Sequence, residues 1–339
     1  MALTTRHIIA LQKITGFGDK TVRTMVELSE NVSIDTDKEL WTFINEVVSS
    51  GKLPRLKKPL DYDAVASAIA MADSILERSE RLDIKAVSFK DPEFPKNLLS
   101  TIDESGQPSV PIILYYKGDI SITKRKGVAI IGTREPTSEG IQAGLYFGKI
   151  LAEQGYNLVS GHAIGCDAAG HKGALSAEGG VTTAFLAHGL DSVYPEENRQ
   201  LAQNIIDNGG LLMSEYEIGK GINRYNIVGR DRLQAALADA TIVIQSSEKG
   251  GTMHAANTTL LANKPLFCVK YKDYLGSNEK VKGNTLLTTK GARWLSSANA
   301  LLDIESLLNP KQPTCTSNEI VTEGKKNERP IQTEIQFDS

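Results

Sequence analysis

"VAIIGTREPTSEG", residues 128–140, holds the reading that decides the fold. Val128 to Ile131 form a short apolar run suited to a buried strand. Gly132 lets the backbone turn sharply. Thr137 or Ser138 is placed to cap a following helix. A strand, a glycine turn and a helix N-terminus together make a cradle for phosphate. The question is whether that phosphate belongs to a small nucleotide or to a nucleic-acid chain.

From Val128 onward the same pattern repeats. Strands are expected at 128–132, 157–160, 181–187, 211–215, 241–245 and 265–270. Helices are expected between them, at 138–154, 166–178, 196–208, 230–238 and 251–263. This alternation predicts an α/β fold with a mostly parallel sheet covered on both faces. Upstream, "DIKAVSFKDPEFPKNLLSTIDESGQPSVPIILYYKGDIS" (83–121) is punctuated by proline, with one strand expected at Ile112–Tyr116. Residues 1–82 read as a helical module, and 61–82 as one long amphipathic helix. After residue 305 the chain turns polar, and 306–339 reads as a disordered tail.

The chain has 339 residues and a formal net charge of -3, so any basic surface must be local. No apolar run is long enough to span a bilayer, and the N-terminus lacks the apolar core of a signal peptide. Cys166, Cys268 and Cys315 are widely separated, which gives neither a metal spacing nor a disulfide framework. A cytoplasmic protein without metal or cofactor is expected.

In an open parallel sheet, ligands bind beyond the carboxyl ends of the strands. Four loops fall there. The first is Gly132-Thr133-Arg134. The second is "SGHAIGCD", with Ser160, Gly161, Gly165 and Asp167. The third is "EIGKGINRYNIVGRDR" (217–232), with Arg224, Arg230 and Arg232. The fourth is "SSEKGGT" (246–252), with Lys249, Gly250, Gly251 and Thr252. Several helix starts and four or five cations suit a row of phosphates. A dinucleotide fits poorly. The first loop is not G-x-G-x-x-G, and no acidic residue ends a second strand at the required distance. No nucleophile–base pair is visible. Asp167 reads as a helix cap, and His171 as a packed or capping histidine.

A second phosphate signal lies near the N-terminus. "ITGFGDK" (14–20) resembles the turn of a helix-hairpin-helix, in which the amides around Gly16 and Gly18 face a DNA phosphate and Lys20 adds charge. A plain helix–helix turn reads equally well.

The ordered series "VAIIGTREPTSEG", "LVSGHAIGCDAAGHKGAL", "HGLDSVYPEENRQL", "LMSEY" and "GNTLLTTKGARWL" resembles the DNA-processing protein A family, also called Smf, over roughly residues 90–300. The resemblance implies an extended Rossmann-like domain over 83–305. It also implies a non-enzymatic homodimer that binds and protects single-stranded DNA and loads a RecA-type recombinase in natural transformation. By position it carries over Gly132, Thr133, Arg134, Ser160, Gly161, Gly165, Asp167, Arg230, Arg232, Lys249 and Gly251. The chain departs from the family in several places. Ile164 stands in place of arginine, Gly229 and Asp231 replace arginine and asparagine, and Gln245 replaces a common glutamate. The usual C-terminal winged helix is also missing, so recombinase loading need not follow the family's standard form. The alternative is a nucleotide or second-messenger sensor related to the "Lonely guy" enzymes, suggested by Gly250-Gly251-Thr252.

Overall fold

The fold comes from a computed structural model that describes residues 3–53, 56, 58–272 and 278–308. The expected tail lies outside the described residues from 309 onward. One nine-stranded sheet runs through the molecule. Its strands are β1 (Lys85–Ser88), β2 (Ile113–Gly118), β3 (Gly127–Ile131), β4 (Asn157–Ser160), β5 (Thr182–Phe185), β6 (Leu211–Ser214), β7 (Ala240–Val243), β8 (Leu266–Val269) and β9 (Arg293–Leu295). They lie in the order β1-β2-β6-β5-β4-β3-β7-β8-β9. Every pair from β6 to β9 is parallel; β1 and β2 pair antiparallel at one edge.

Alternation along β3 explains the layering. Val128 and Ile130 point to one face. There they pack with Ala143, Phe147 and Leu151 of α5 (Ser138–Glu153), beside α6 (Cys166–Leu175). Ala129 points to the other face and meets Leu233, Ala236 and Leu237 of α8 (Arg224–Leu237). Ile131 on that face meets Met253 and Ala256 of α9 (Thr252–Leu261). A strand buried on both sides has no room for polar alternation, which is why 128–131 is uniformly apolar. Elsewhere α7 (Arg199–Asp207), α10 (Glu279–Thr289) and α11 (Ala300–Leu308) complete the cover.

Most expected elements are present with ends shifted by a few residues. The substantial correction is α8, which starts six residues before the expected Arg230. Asn223 caps it, its side chain accepting from the Asn226 amide at 2.9 Å. Gly229, a helix-weakening residue, hid this start in the sequence. The expected helix 196–208 is a 3-10 turn, Glu196–Asn198, followed by α7.

Among the described residues four helices precede every strand: α1 (Thr5–Lys13), α2 (Asp19–Leu28), α3 (Asp37–Ser49) and α4 (Tyr62–Glu80). Their core does not close on itself. It continues into Ile84, Ile112, Ile113, Tyr115 and Ile218. Polar contacts cross the same line, with Lys13 paired to Glu217, Lys90 to Glu30 at 2.6 Å, and Lys117 Nζ donating to the Leu82 carbonyl at 2.9 Å. A chain that begins at residue 84 is therefore expected to form the sheet but melt several degrees lower. It should also bind a hydrophobic dye through the uncovered Ile112, Ile113 and Tyr115. An unchanged melting temperature without dye binding would show two independent folding units.

Candidate nucleic-acid interface

The chain order reverses between β3 and β7: successive strands run outward from β3 on one side and from β7 on the other. Loops leaving this switch point diverge and open a crevice. A cavity of about 370 Å³ lies there. The first loop supplies Gly132, Thr133 and Arg134, and the fourth supplies Gly250, Gly251 and Thr252. Asp167 and Ala163 come from the second loop, and Arg230 and Asp231 from α8.

Two glycines make the crevice possible. A Cβ on Gly132 would sit 2.5 Å from the Cys166 Sγ. Gly165 has φ +82, and a Cβ there would lie 2.5 Å from the Thr133 carbonyl oxygen. The first two loops therefore touch backbone to backbone, and the Cys166 amide donates to the Thr133 carbonyl at 3.2 Å. Buried next to this contact, the Cys166 thiol is pushed up to about 12 and is no nucleophile.

Gln245, at the end of β7, fastens the first loop. Its carbonyl accepts from the Thr133 amide at 2.8 Å. Its side-chain oxygen accepts from the Thr137 amide, and its side-chain nitrogen donates to the Thr137 hydroxyl, both at 2.9 Å. Thr137 in turn caps α5. Sequence reading treated Gln245 only as a departure from the family; its role as a clamp depends on β7 lying beside β3, which is non-local. Asn284 does the same for the fourth loop. Its side chain accepts from the Ser246 amide at 3.0 Å and donates to the Ile244 carbonyl at 2.9 Å.

The expected cations divide sharply. Arg134 is exposed and forms no ion pair among the described residues, not even with the neighbouring Glu135 or Glu139. Arg230 is only 5% exposed. Its Nη1 donates to the carbonyls of Gly161 and, at 2.5 Å, Phe185, while its Nε pairs with Asp231 at 3.1 Å. Arg232 is held by Glu215 through two bonds of 2.6 and 2.7 Å, and by Ser109. These two arginines are committed to the protein. Lys249 is exposed on the fourth loop and does not line the cavity. Arg224 lies in the first turn of α8 and faces a different, larger groove of about 1250 Å³. Lys20 lines that groove as well; Gly18 precedes α2, and Gly16 has φ +88, but neither lines the groove. The hairpin and the crevice therefore open on opposite sides of α8.

Asp167 is not the helix cap expected of it. Its carboxylate accepts from the amides of Gly161 and Ala163 at 3.2 and 3.3 Å, shaping the second loop. Burial pushes its pKa up to about 6, against the pull of Arg230. Burial raises Asp231 too, again against Arg230. Ser160 donates to the Ile130 carbonyl at 2.6 Å and joins β4 to β3 rather than facing a ligand. His171 is packed as expected, its Nδ1 2.7 Å from the Thr182 hydroxyl.

What remains open to a ligand is the Arg134 guanidinium and the N-terminal end of α9, where the Gly251 and Thr252 amides have no acceptor among the described residues. A doubly covered, mostly parallel sheet with a crevice at its switch point belongs to the Rossmann-like class. Within that class, the chain belongs to the DNA recombination-mediator protein A family, whose model matches residues 85–305. Protein Smf of Synechocystis is 32% identical over 67% of this chain and 55% of its own length, so this chain spans about half of that relative. The DNA processing protein of Bacillus subtilis is 27% identical over 70% of this chain and 86% of its own. A solved DNA processing protein A from Streptococcus pneumoniae shares the fold, with a TM-score of 0.69 over 89% of this chain and 98% of the other, at 23% identity. The structure from Helicobacter pylori, described for its single-stranded DNA binding mode, has a TM-score of 0.56 and 30% identity over 67% of this chain and 96% of its own. Among the described residues, no helix is long and apolar enough to cross a membrane, and no cluster of metal ligands occurs.

Proposed function

We propose that this chain binds single-stranded DNA at the crevice, holding backbone phosphates between Arg134 and the start of α9. The observation that carries the reading is an unpaired guanidinium and free helix amides lining one cavity. The Helicobacter pylori relative, which binds single-stranded DNA, supports the choice of ligand. The role is one of binding: it protects the strand and passes it to a RecA-type recombinase in the cytoplasm, with the protein working as a homodimer and performing no catalysis. Neither the family nor the relatives favour a nucleotide sensor.

Arg134→Ala tests the site. Charge-assisted contacts of this kind contribute about 1–3 kcal/mol. The variant should lose roughly 5- to 150-fold in affinity for an oligonucleotide at low salt, and its salt slope should fall by about 1, while its melting temperature is unchanged. Wild-type affinity in the variant places the phosphates elsewhere. Wild-type protein should also prefer the single strand to a duplex of the same sequence, since the crevice presents no element shaped for a groove. Equal binding of both would count against the reading.

A further inference from the structure

The connector 215–223 runs from the end of β6 to the start of α8, and three parts of the molecule hold it. Glu217 pairs with Lys13, the last residue of α1, and their side chains are 32% and 21% exposed. Ile218 is buried in the core of the helical module. On the sheet side, the Gly219 amide donates to both carboxylate oxygens of Asp191 at 2.9 Å. The Lys220 carbonyl accepts from the Gly189 amide at 2.8 Å. Ile222 then lines a cavity of about 220 Å³ that adjoins the crevice and shares Arg134, Ala163, Ile227 and Arg230 with it. Asn223 caps α8. Only residues 219–222 thus separate the anchor in the helical module from the cap of α8. A second bridge reaches the middle of the same helix. Arg23 of α2 donates to the Val110 carbonyl, and Arg232 Nε of α8 donates to the neighbouring Ser109 hydroxyl at 3.0 Å.

The first half of α8 needs this support. Gly229 interrupts the helix with a residue of low helix propensity. Beyond it, Leu233, Ala236 and Leu237 are buried; before it, only Asn226 is. A half-helix with few buried contacts lies at the low-stability end of a structure. Yet that half carries Ile227, which lines both cavities.

We propose that the helical module sets how long the crevice holds its strand, with Lys13, Arg23 and Ile218 as positioning residues that keep the first half of α8 in place. None of the three lines the crevice, so they act through α8 and touch no phosphate. The inference rests on the crevice binding DNA phosphates, as proposed above. It gives the module a part in binding besides covering Ile112, Ile113 and Tyr115. Freed of Lys13 and of the Ile218 anchor, the connector would move about Gly219, which has φ +82, and the wall at Ile222 and Ile227 would move with it.

The pair Lys13–Glu217 tests this, because its members carry opposite charges. Release of an all-thymidine oligonucleotide is timed at low salt for the full chain, for Lys13→Ala, for Glu217→Ala, and for the swap of Lys13→Glu with Glu217→Lys. A partly exposed pair contributes little to stability, so every variant should be folded at room temperature, and a change in release reports on the crevice. Positioning predicts that both single variants release the strand about 2- to 10-fold faster, and that the swap returns most of the loss. A plain field effect predicts the reverse for the second variant: losing Lys13 would speed release, and losing Glu217 would slow it. Opposite changes overturn the proposal, as does unchanged release in both variants or a swap no slower than either. Arg134→Ala, run alongside, separates this reading from the one beneath it. If Arg134→Ala binds like the wild type, the phosphate site has failed and the positioning of it with it. If Arg134→Ala weakens binding and the Lys13 and Glu217 variants do not, only the positioning role fails.

Discussion

Arg230→Ala is expected to cost about 3–5 kcal/mol of folding stability, the range for removing one partner of a buried ion pair. That is a large share of the roughly 5–15 kcal/mol by which a native protein is stable. The physical reason is what stays behind. Asp167 and Asp231 keep their carboxylates in a buried site with the compensating cation gone. The carbonyls of Gly161 and Phe185 lose their donor. A melting temperature lower by on the order of 10 °C would follow. Arg230→Lys should recover only part of it, because an ammonium cannot serve a carboxylate and two carbonyls from one planar fork. The contrast with Arg134→Ala is the informative part: one arginine should govern stability, the other affinity. If Arg230→Ala melts like the wild type and loses only DNA binding, the buried guanidinium is a ligand for phosphate and the division drawn here is wrong.

Acid should destabilise the protein, and His162 should account for about 2 kcal/mol of the loss between pH 7 and pH 5. Burial, with Arg230 nearby, lowers the His162 pKa from 6.5 to about 4. Burial also lowers His171 well below 6.5, with the charges of His162 and Arg230 adding to it. The unfolded chain therefore takes up these protons first as the pH falls below 6.5. The stability these histidines contribute is present above pH 6.5 and is lost as the pH falls toward about 4. Asp167 acts in the opposite sense. Its folded pKa of about 6 lies above the unfolded 3.8, so the folded state gains a proton first and recovers some stability below pH 6. Asp231, also raised by burial, acts in the same sense as Asp167, and the two histidines together outweigh them. His162→Asn isolates the main contributor. His162 has φ 63, a left-handed conformation that asparagine adopts more readily than most residues. Thermal melts of both proteins at pH 7 and pH 5 should show a smaller acid loss in the variant. Identical acid losses would assign the effect to other groups.

The sheet was legible because its evidence is local. Each strand of the parallel core is a short apolar run ended by a turn residue, and the resemblance over 90–300 rests on contiguous motifs. Residues Gly132, Thr133, Arg134, Gly250, Gly251 and Thr252 do converge, since the switch-point rule needs only strand order to place them. What the sequence hid was pairing. A cation in a promising loop looks the same whether it faces water or a carboxylate, and Arg232 meets Glu215, 17 residues away, only once β6 and α8 are in place. Arg230 is hidden in the same way: its partners Gly161 and Phe185 lie 69 and 45 residues back along the chain. Gln245 and Asn284 escaped notice because amides carry no motif, and their value is geometric.

Gln245 has a consequence for the timing of capture. By tying the first loop to the cap of α5, it fixes one wall of the crevice to a rigid strand end before any ligand arrives. A strand of nucleic acid then meets a finished seat and has only its own freedom to lose. Association should be limited by encounter, steered by charge and slowed by salt, with no separate closing step. Differences between one bound sequence and another would then be written in how long each stays, not in how fast each is found.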